Sequence, residues 1–264
     1  MSKSIKISLI LGSIFVCMGL LVVVIVGFTS GWRFKDVEWE SRSYESAVDD
    51  EISIIDIDFS AGTLDVDFYD GKVVKVEYPH SERLSTECKV NGNTLQIQSV
   101  VRWNVQFWGF NKIPTAKVYI PYDMGVALKM CVNAGTVTVQ PGTLNSVDLK
   151  MNAGTLSMDN VDCGKFTVEI NAGTMNLSKI ECDVFSAEMN AGTLKATRLK
   201  CSNIKVALSA GTAKIGVDGK KSDYSIWTQV SAGSCNVQSQ NGATLDHNLS
   251  VVVSAGTVKI NFDN

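Results

Sequence analysis

The chain has 264 residues, 45% hydrophobic and 19% charged, with a formal net charge of −3 and two histidines. That length holds one sizeable core or an elongated stack. An acidic balance leaves no basic footprint, which excludes nucleic acid as a partner.

The first element is a run from Ile7 to Phe28 without a charged residue, preceded by Lys3 and Lys6. As a helix it spans about 33 Å at ~1.5 Å per residue, enough for a hydrocarbon core of roughly 30 Å. A cleavable signal peptide is the alternative, but its apolar stretch is about 7–15 residues and ends in small residues. Here "VGFTSGW" follows the run, and Cys17 sits behind Phe15-Val16 rather than the small residues of a lipoprotein signal. Residues 1–30 therefore read as a cytoplasmic tip and one transmembrane helix. The lysines ahead of the span predict that everything after Trp32 lies outside, in a single-pass protein of the cell membrane. That exterior carries 24 − 2 = 22 basic and 27 acidic side chains, a net of −5. Residues 31–50, polar with alternating charge, read as a stalk, and 51–264 as the ectodomain.

The ectodomain opens with "DIDFSAGTLDVDFYDG", whose Ser-Ala-Gly-Thr centres on Gly62. The aspartates Asp56, Asp58, Asp65 and Asp67 alternate with apolar residues, which predicts a solvated strand face. A carboxylate cluster of the kind found in polysaccharide lyases and hydrolases is the competing reading. An irregular segment, 73–125, follows, with strand-like runs at 73–78, 94–101 and 116–120. Within "VVRWNVQFWGFNK", Val101, Trp103, Val105 and Phe107 alternate and suit a core extension. Trp108 and Phe110 flank Gly109 out of phase, and an exposed apolar tip there would bind a sugar ring, a partner or the membrane.

From Asn133 onward the chain repeats itself. The [Asn/Ser]-Ala-Gly-[Thr/Ser] motif returns at Gly135, Gly154, Gly173, Gly192, Gly211, Gly233 and Gly256, after intervals of 73, 19, 19, 19, 19, 22 and 23. A fixed period of this size marks a solenoid. Ahead of the glycines the residues at −7, −5, −3 and −1 are apolar, as in Phe166, Val168, Ile170 and Ala172, with Thr228 ahead of Gly233 the exception. That alternation is a strand with one buried face. After the glycine the apolar positions become +2 and +4, then +7 and +9, then +12. Every change is an odd step, and an unbroken strand alternates with period 2, so the chain must turn three times per unit.

The predicted fold is all-β: a parallel β-helix of ~19-residue coils, with a two-sided β-roll as the alternative if one corner is a bulge. Stacking about 4.8 Å apart would set like upon like. Asn133, Asn152, Asn171 and Asn190 would form one ladder, continued by Ser209, Ser231 and Ser254. Loops at 217–225 and 238–248 account for the two longer intervals. Cys163, Cys182 and Cys201 share one inward position and predict a reduced core column. A disulfide between adjacent coils is the alternative in an exported chain, and it would leave one of the three unpaired.

These repeated Ser/Asn-Ala-Gly-Thr strands behind one N-terminal span resemble the bacterial adhesin-like family of β-strand repeat proteins. Its relatives include membrane-anchored proteins of Lia-type envelope-stress operons. The resemblance covers about residues 50–264 and implies the fold. It brings no catalytic residues.

Outward columns are mixed: Lys150, Glu169 and Glu188 share one, Lys195 and Lys214 another. His80 and His247 are far apart, no ligand set converges, and no carboxylate pair of the glycosidase kind can be named. No catalytic residue, metal or cofactor is expected. The expected role is non-enzymatic adhesion, or envelope-stress sensing and scaffolding, toward an envelope glycan or protein. A carbohydrate-active enzyme on a β-helix is the alternative.

Overall fold

The computed structural model describes residues 38–82, 84–101, 113–241 and 247–263. Ten strands and one 3-10 turn account for their regular structure: β1 (Glu40–Glu45), β2 (Ile54–Tyr69), β3 (Lys75–His80), β4 (Leu84–Asn91), β5 (Thr94–Val101), β6 (Ala116–Pro121), β7 (Ala127–Val139), β8 (Gly142–Asp218), the turn Lys221–Asp223, β9 (Tyr224–Cys235) and β10 (His247–Asp263). The chain is all-β and solenoid-like over these residues. The run Ile7–Phe28 lies outside them, and among the described residues no helix is long and apolar enough to cross a membrane.

Parallel pairing holds the repeats in register. Gly62 of β2 pairs with Gly135 of β7, and Gly135 with Gly154 of β8. Within β8 the nineteen-residue step continues, because each corner glycine lies against the backbone of the glycine one unit earlier, from Gly154 to Gly211. The core follows the predicted inward positions. Phe166, Val168, Ile170, Met175, Leu177, Ile180, Cys182 and Phe185 are all buried, and Phe166 stacks on Phe185 with ring centroids 5.4 Å apart.

Burial reverses side three times per coil: from Ile170 to Met175, from Leu177 to Ile180, and from Cys182 to Phe185. Gly173 makes the first corner with φ 144°. The second corner is made by Lys179 at φ 51°, as by Asn160 at 53° and Arg198 at 55° in the coils on either side.

One expectation fails at the first corner. The alternation predicts that Ala153, Ala172 and Ala191 face inward, and all three are exposed. The strand leaves the core after Ile170, so Asn171 and Ala172 both ride on the outside of the bend. The corner therefore occupies the whole Asn-Ala-Gly-Thr motif. Parity still reverses, since Ile170 to Met175 is also an odd step.

The ends differ. On the far side of β2, β5 pairs with residues 54–59 and β6 with residues 64–69, both parallel, as one broken coil. Between Phe59 and Leu64, β2 uses four residues, 60–63; between their partners Ser99 and Ala116 stand sixteen, 100–115. Antiparallel strands then cover this edge: β4 on β5, β3 on β6 and β1 on β3. The open edge thereby passes to the short strands β1 and β4, each paired on one side only. The sheet thus begins no later than Glu40, inside the stretch read as stalk.

At the other end the coil order departs from chain order. β10 pairs with the last coil of β8, and β9 pairs with the outer side of β10. The corner glycines therefore run 62, 135, 154, 173, 192, 211, 256, 233. The predicted loop 217–225 is mostly structure instead. Val217 and Tyr224 are buried, and Gln240 folds back to exchange two backbone hydrogen bonds with Ile226, at 2.8 and 2.9 Å.

Candidate functional site

The outer face between the first and second corners is built from the residues that follow each glycine. Apolar residues at +2 and +4 face inward, so those at +1, +3 and +5 must face out. Stacking turns each position into a straight column. At +1 stand Thr136, Thr155, Thr174, Thr193, Thr212 and Thr257. At +3 stand Asp65, Thr138, Ser157, Asn176, Lys195, Lys214 and Lys259 in spatial order, with Asp65 and Thr138, and Lys214 and Lys259, directly paired in register. Thr138, Gln140, Ser157, Asp159, Asn176, Ser178, Lys195 and Thr197 together line a shallow groove.

A hydrogen-bonded ladder fixes the corner beside this face. Asn152 donates to Asn133 at 2.7 Å, Asn171 to Asn152 at 2.8 Å and Asn190 to Asn171 at 2.7 Å. Ser209 extends it by donating to Asn190 at 3.4 Å. The next hydroxyl in space belongs to Ser254, not Ser231.

Charged columns elsewhere pair between neighbouring coils. Lys150 meets Glu169 at 3.4 Å and Lys200 meets Glu181 at 2.6 Å. Repeat spacing alone puts Lys150 with Glu169 and Lys195 with Lys214. It gives no reason to add Lys259, because in chain order Asn236 holds the intervening +3 position.

The four aspartates of the first motif are not brought together. The Gly62 corner divides them: Asp56 and Asp58 line a depression with Glu87, Lys89, Gln96 and Gln98, while Asp65 and Asp67 pair in register with Lys117 and Tyr119 of β6. His80 closes β3 near one end, and His247 packs edge-on against Tyr224 near the other, ring centroids 5.1 Å apart. Among the described residues, no group of three or more His, Cys, Asp or Glu is placed to hold a metal ion.

Cys163, Cys182 and Cys201 are buried free thiols in one column, with the Cys182 and Cys201 sulfurs 2.8 Å apart. The Cys182 thiol and burial drive the Cys163 pKa up. At Cys182 the contact with Cys163 pulls down, but Cys201 and burial outweigh it. Raised in this way, the Cys163 and Cys182 thiols are poor nucleophiles, and all three side chains are buried, so this column is packed as core. Trp108 and Phe110 lie outside the described residues.

These features define an all-β, solenoid-like repeat protein with ladder-bearing outer faces. The chain belongs to the Toastrack DUF4097 family, whose model matches residues 52–264. Among solved structures, it is similar to a candidate cell adhesion protein from Clostridium sporogenes at 14% identity, covering 86% of this chain and 100% of that one, with a TM-score of 0.40. A candidate adhesin from Bacteroides fragilis gives 13% identity, 84% and 97% coverage and a TM-score of 0.45. One from Parabacteroides distasonis gives 14%, 85% and 98%, and 0.39. No curated protein matches the chain.

Proposed function

We propose that this protein is a membrane-tethered binding module that works outside the cell by adhesion, without catalysis. One observation carries the reading: polar side chains repeat in straight, in-register columns across a continuous parallel sheet, from Asn133 to Asn190 and from Thr138 to Lys259. Such a surface presents many equivalent weak contacts, and linked contacts raise avidity without any strong single site. Division of the first-motif aspartates between two faces favours binding over glycan hydrolysis. The charge-free run Ile7–Phe28 behind Lys3 and Lys6 supports the tether, with the C-terminal part outside. Envelope-stress sensing or scaffolding would use the same surface toward an envelope protein.

Cells expressing the full chain, tagged at both ends, provide the test. Protease added to intact cells should remove the C-terminal tag and spare the N-terminal one, and these cells should retain envelope fragments that cells lacking the chain do not. An N-terminal tag that is cleaved, or equal retention, overturns the proposal. So does release of reducing ends or unsaturated sugars from envelope glycan by the purified full chain. Trp108 and Phe110 are proposed as an apolar contact within this module. The double variant Trp108→Ala, Phe110→Ala should weaken retention with an unchanged melting temperature, whereas loss of folding would make both residues core.

A further inference from the structure

Lys195, Lys214 and Lys259 occupy the same outward position on three consecutive coils, and all three are exposed. Neighbouring coils stand about 4.8 Å apart. Like charges directly opposite on adjacent strands repel and cost stability. This same fold relieves such crowding elsewhere, with Lys150 against Glu169 and Lys200 against Glu181. Among the described residues no ion pair reaches any member of the lysine row. Lys179 and Arg198, both exposed, stand at the second-corner position that bounds the face. A compact set of cations is thus concentrated on one face of an ectodomain whose net charge is negative.

Shape narrows the ligand. The row is straight, and beyond Lys195 the same column runs on through Asn176, Ser157 and Thr138 along the shallow groove, where Asp159 also stands, and reaches Asp65 on the first coil. One end of the column offers three ammonium groups at a regular spacing, and its middle offers amides and hydroxyls. Asp65 puts a carboxylate at the far end, away from the lysines. A small anion would use one or two of these groups. A linear polymer uses the lysines and the neutral middle together, with its charges on the former and its hydroxyls on the latter.

We propose that this column binds a linear anionic glycopolymer, a chain of sugars or polyols carrying repeated carboxylate or phosphate groups. The proposal rests on the reading of this protein as an adhesion module and supplies its ligand class. Attraction of this kind weakens with ionic strength, because exposed charges are screened beyond about 8–10 Å at physiological salt.

The test uses the full chain in nanodiscs of zwitterionic lipid. Its probes are polygalacturonate, inorganic polyphosphate, neutral dextran and vesicles containing phosphatidylglycerol. Wild type should bind polygalacturonate and polyphosphate, with affinity falling steeply as salt rises, and should ignore dextran. The triple variant Lys195→Gln, Lys214→Gln, Lys259→Gln should lose at least about tenfold in affinity and show a flatter salt dependence. A control with the same charge change, Lys165→Gln, Lys205→Gln, Lys221→Gln, should lose less than threefold. Asn176→Ala should weaken polygalacturonate and spare polyphosphate, which has no hydroxyls. Equal losses in both triples would reduce the effect to net charge and overturn the proposal. Binding of anionic vesicles alone would overturn it in favour of a lipid surface. Retention of envelope by cells carrying the first triple variant, at the wild-type level, would sink this ligand and leave the adhesion reading standing.

Discussion

Asn248 donates a hydrogen bond of 3.0 Å to Asn203, forty-five residues earlier in the chain. That contact places the coil of Gly256 directly on the coil of Gly211 and leaves the coil of Gly233 outermost. β10 is therefore paired on both sides, whereas Gln229 to Ser234 of β9 are exposed at the end of the stack. Local stability follows pairing rather than position in the chain. Native-state hydrogen exchange should find Val251 to Val253 better protected than Gln229 to Ser231, although they lie closer to the C-terminus. Faster exchange in β10 would contradict the inverted order.

The corner glycines leave no room for a side chain. A Cβ on Gly173 would stand 2.2 Å from the carbonyl oxygen of Gly154, on a backbone with φ 144°. Backbone cannot yield as a side chain can, so Gly173→Ala should cost roughly 3 kcal/mol or more, among the larger single-residue effects. Gly92 also has positive φ, but a Cβ there would meet nothing within 4 Å. Gly92→Ala should therefore cost only about 1 kcal/mol. Urea unfolding of the two variants measures the difference, and similar losses would remove the close-packed corner from the account.

The second corner holds side chains in a conformation that L-residues disfavour by roughly 1–2 kcal/mol. Asn tolerates it best among non-glycine residues, and β-branched residues tolerate it worst. Asn160 already occupies this position one coil before Lys179. Lys179→Asn should raise the unfolding free energy by a few tenths to about 1 kcal/mol, and Lys179→Val should lower it by about 1–2 kcal/mol. A reversed ranking in chemical denaturation would show that this corner is not under backbone constraint.

Alkaline pH should weaken the fold. Burial pushes the Cys88 thiol up to about 11 and the Tyr224 phenol up to about 12. Cys163 and Cys182 are raised as well. Unfolded thiols titrate near 8.5–9 and unfolded tyrosine near 10. Between those values and the folded ones, the unfolded chain has released protons that the native chain still holds, so stability falls as pH rises. The contribution is complete below about pH 8.5 and is lost progressively toward pH 12. Melting temperatures from pH 7 to 11.5 should decline above pH 9. Tyr224→Phe, which also gives up the 3.0 Å hydrogen bond to the Cys201 carbonyl, should flatten the upper part of that decline. A profile unchanged by the variant would remove Tyr224 from the cause.

Much of the architecture was legible because the repeat writes its geometry in parity. Three odd steps among apolar positions predict three reversals per coil, and Phe166 through Phe185 follow them. The alanine at −1 misleads for a physical reason: a small apolar residue suits the outside of a bend as well as a core. β4 is marked in the sequence only by a short alternation, Leu84, Thr86, Cys88 and Val90 against Ser85, Glu87, Lys89 and Asn91. Two residues on its inward side, Thr86 and Cys88, are small and polar-capable, and antiparallel pairing with β5 shows it as a strand. The long interval between Ser99 and Ala116 declares itself in the sequence as an irregularity, and only the register of β5 and β6 on β2 shows that both flanks belong to one coil.

The candidate face divides in the same way. Side-chain direction is a local property of strand and corner, so the amino-acid order alone determined that Lys195, Lys214 and Lys259 point outward at one position of the coil. Which coil lies on which is a long-range choice among near-identical motifs, and local order cannot make it. The fold inserts β10 between β8 and β9, moves Asn236 out of the column, and so joins Lys259 to the other two lysines.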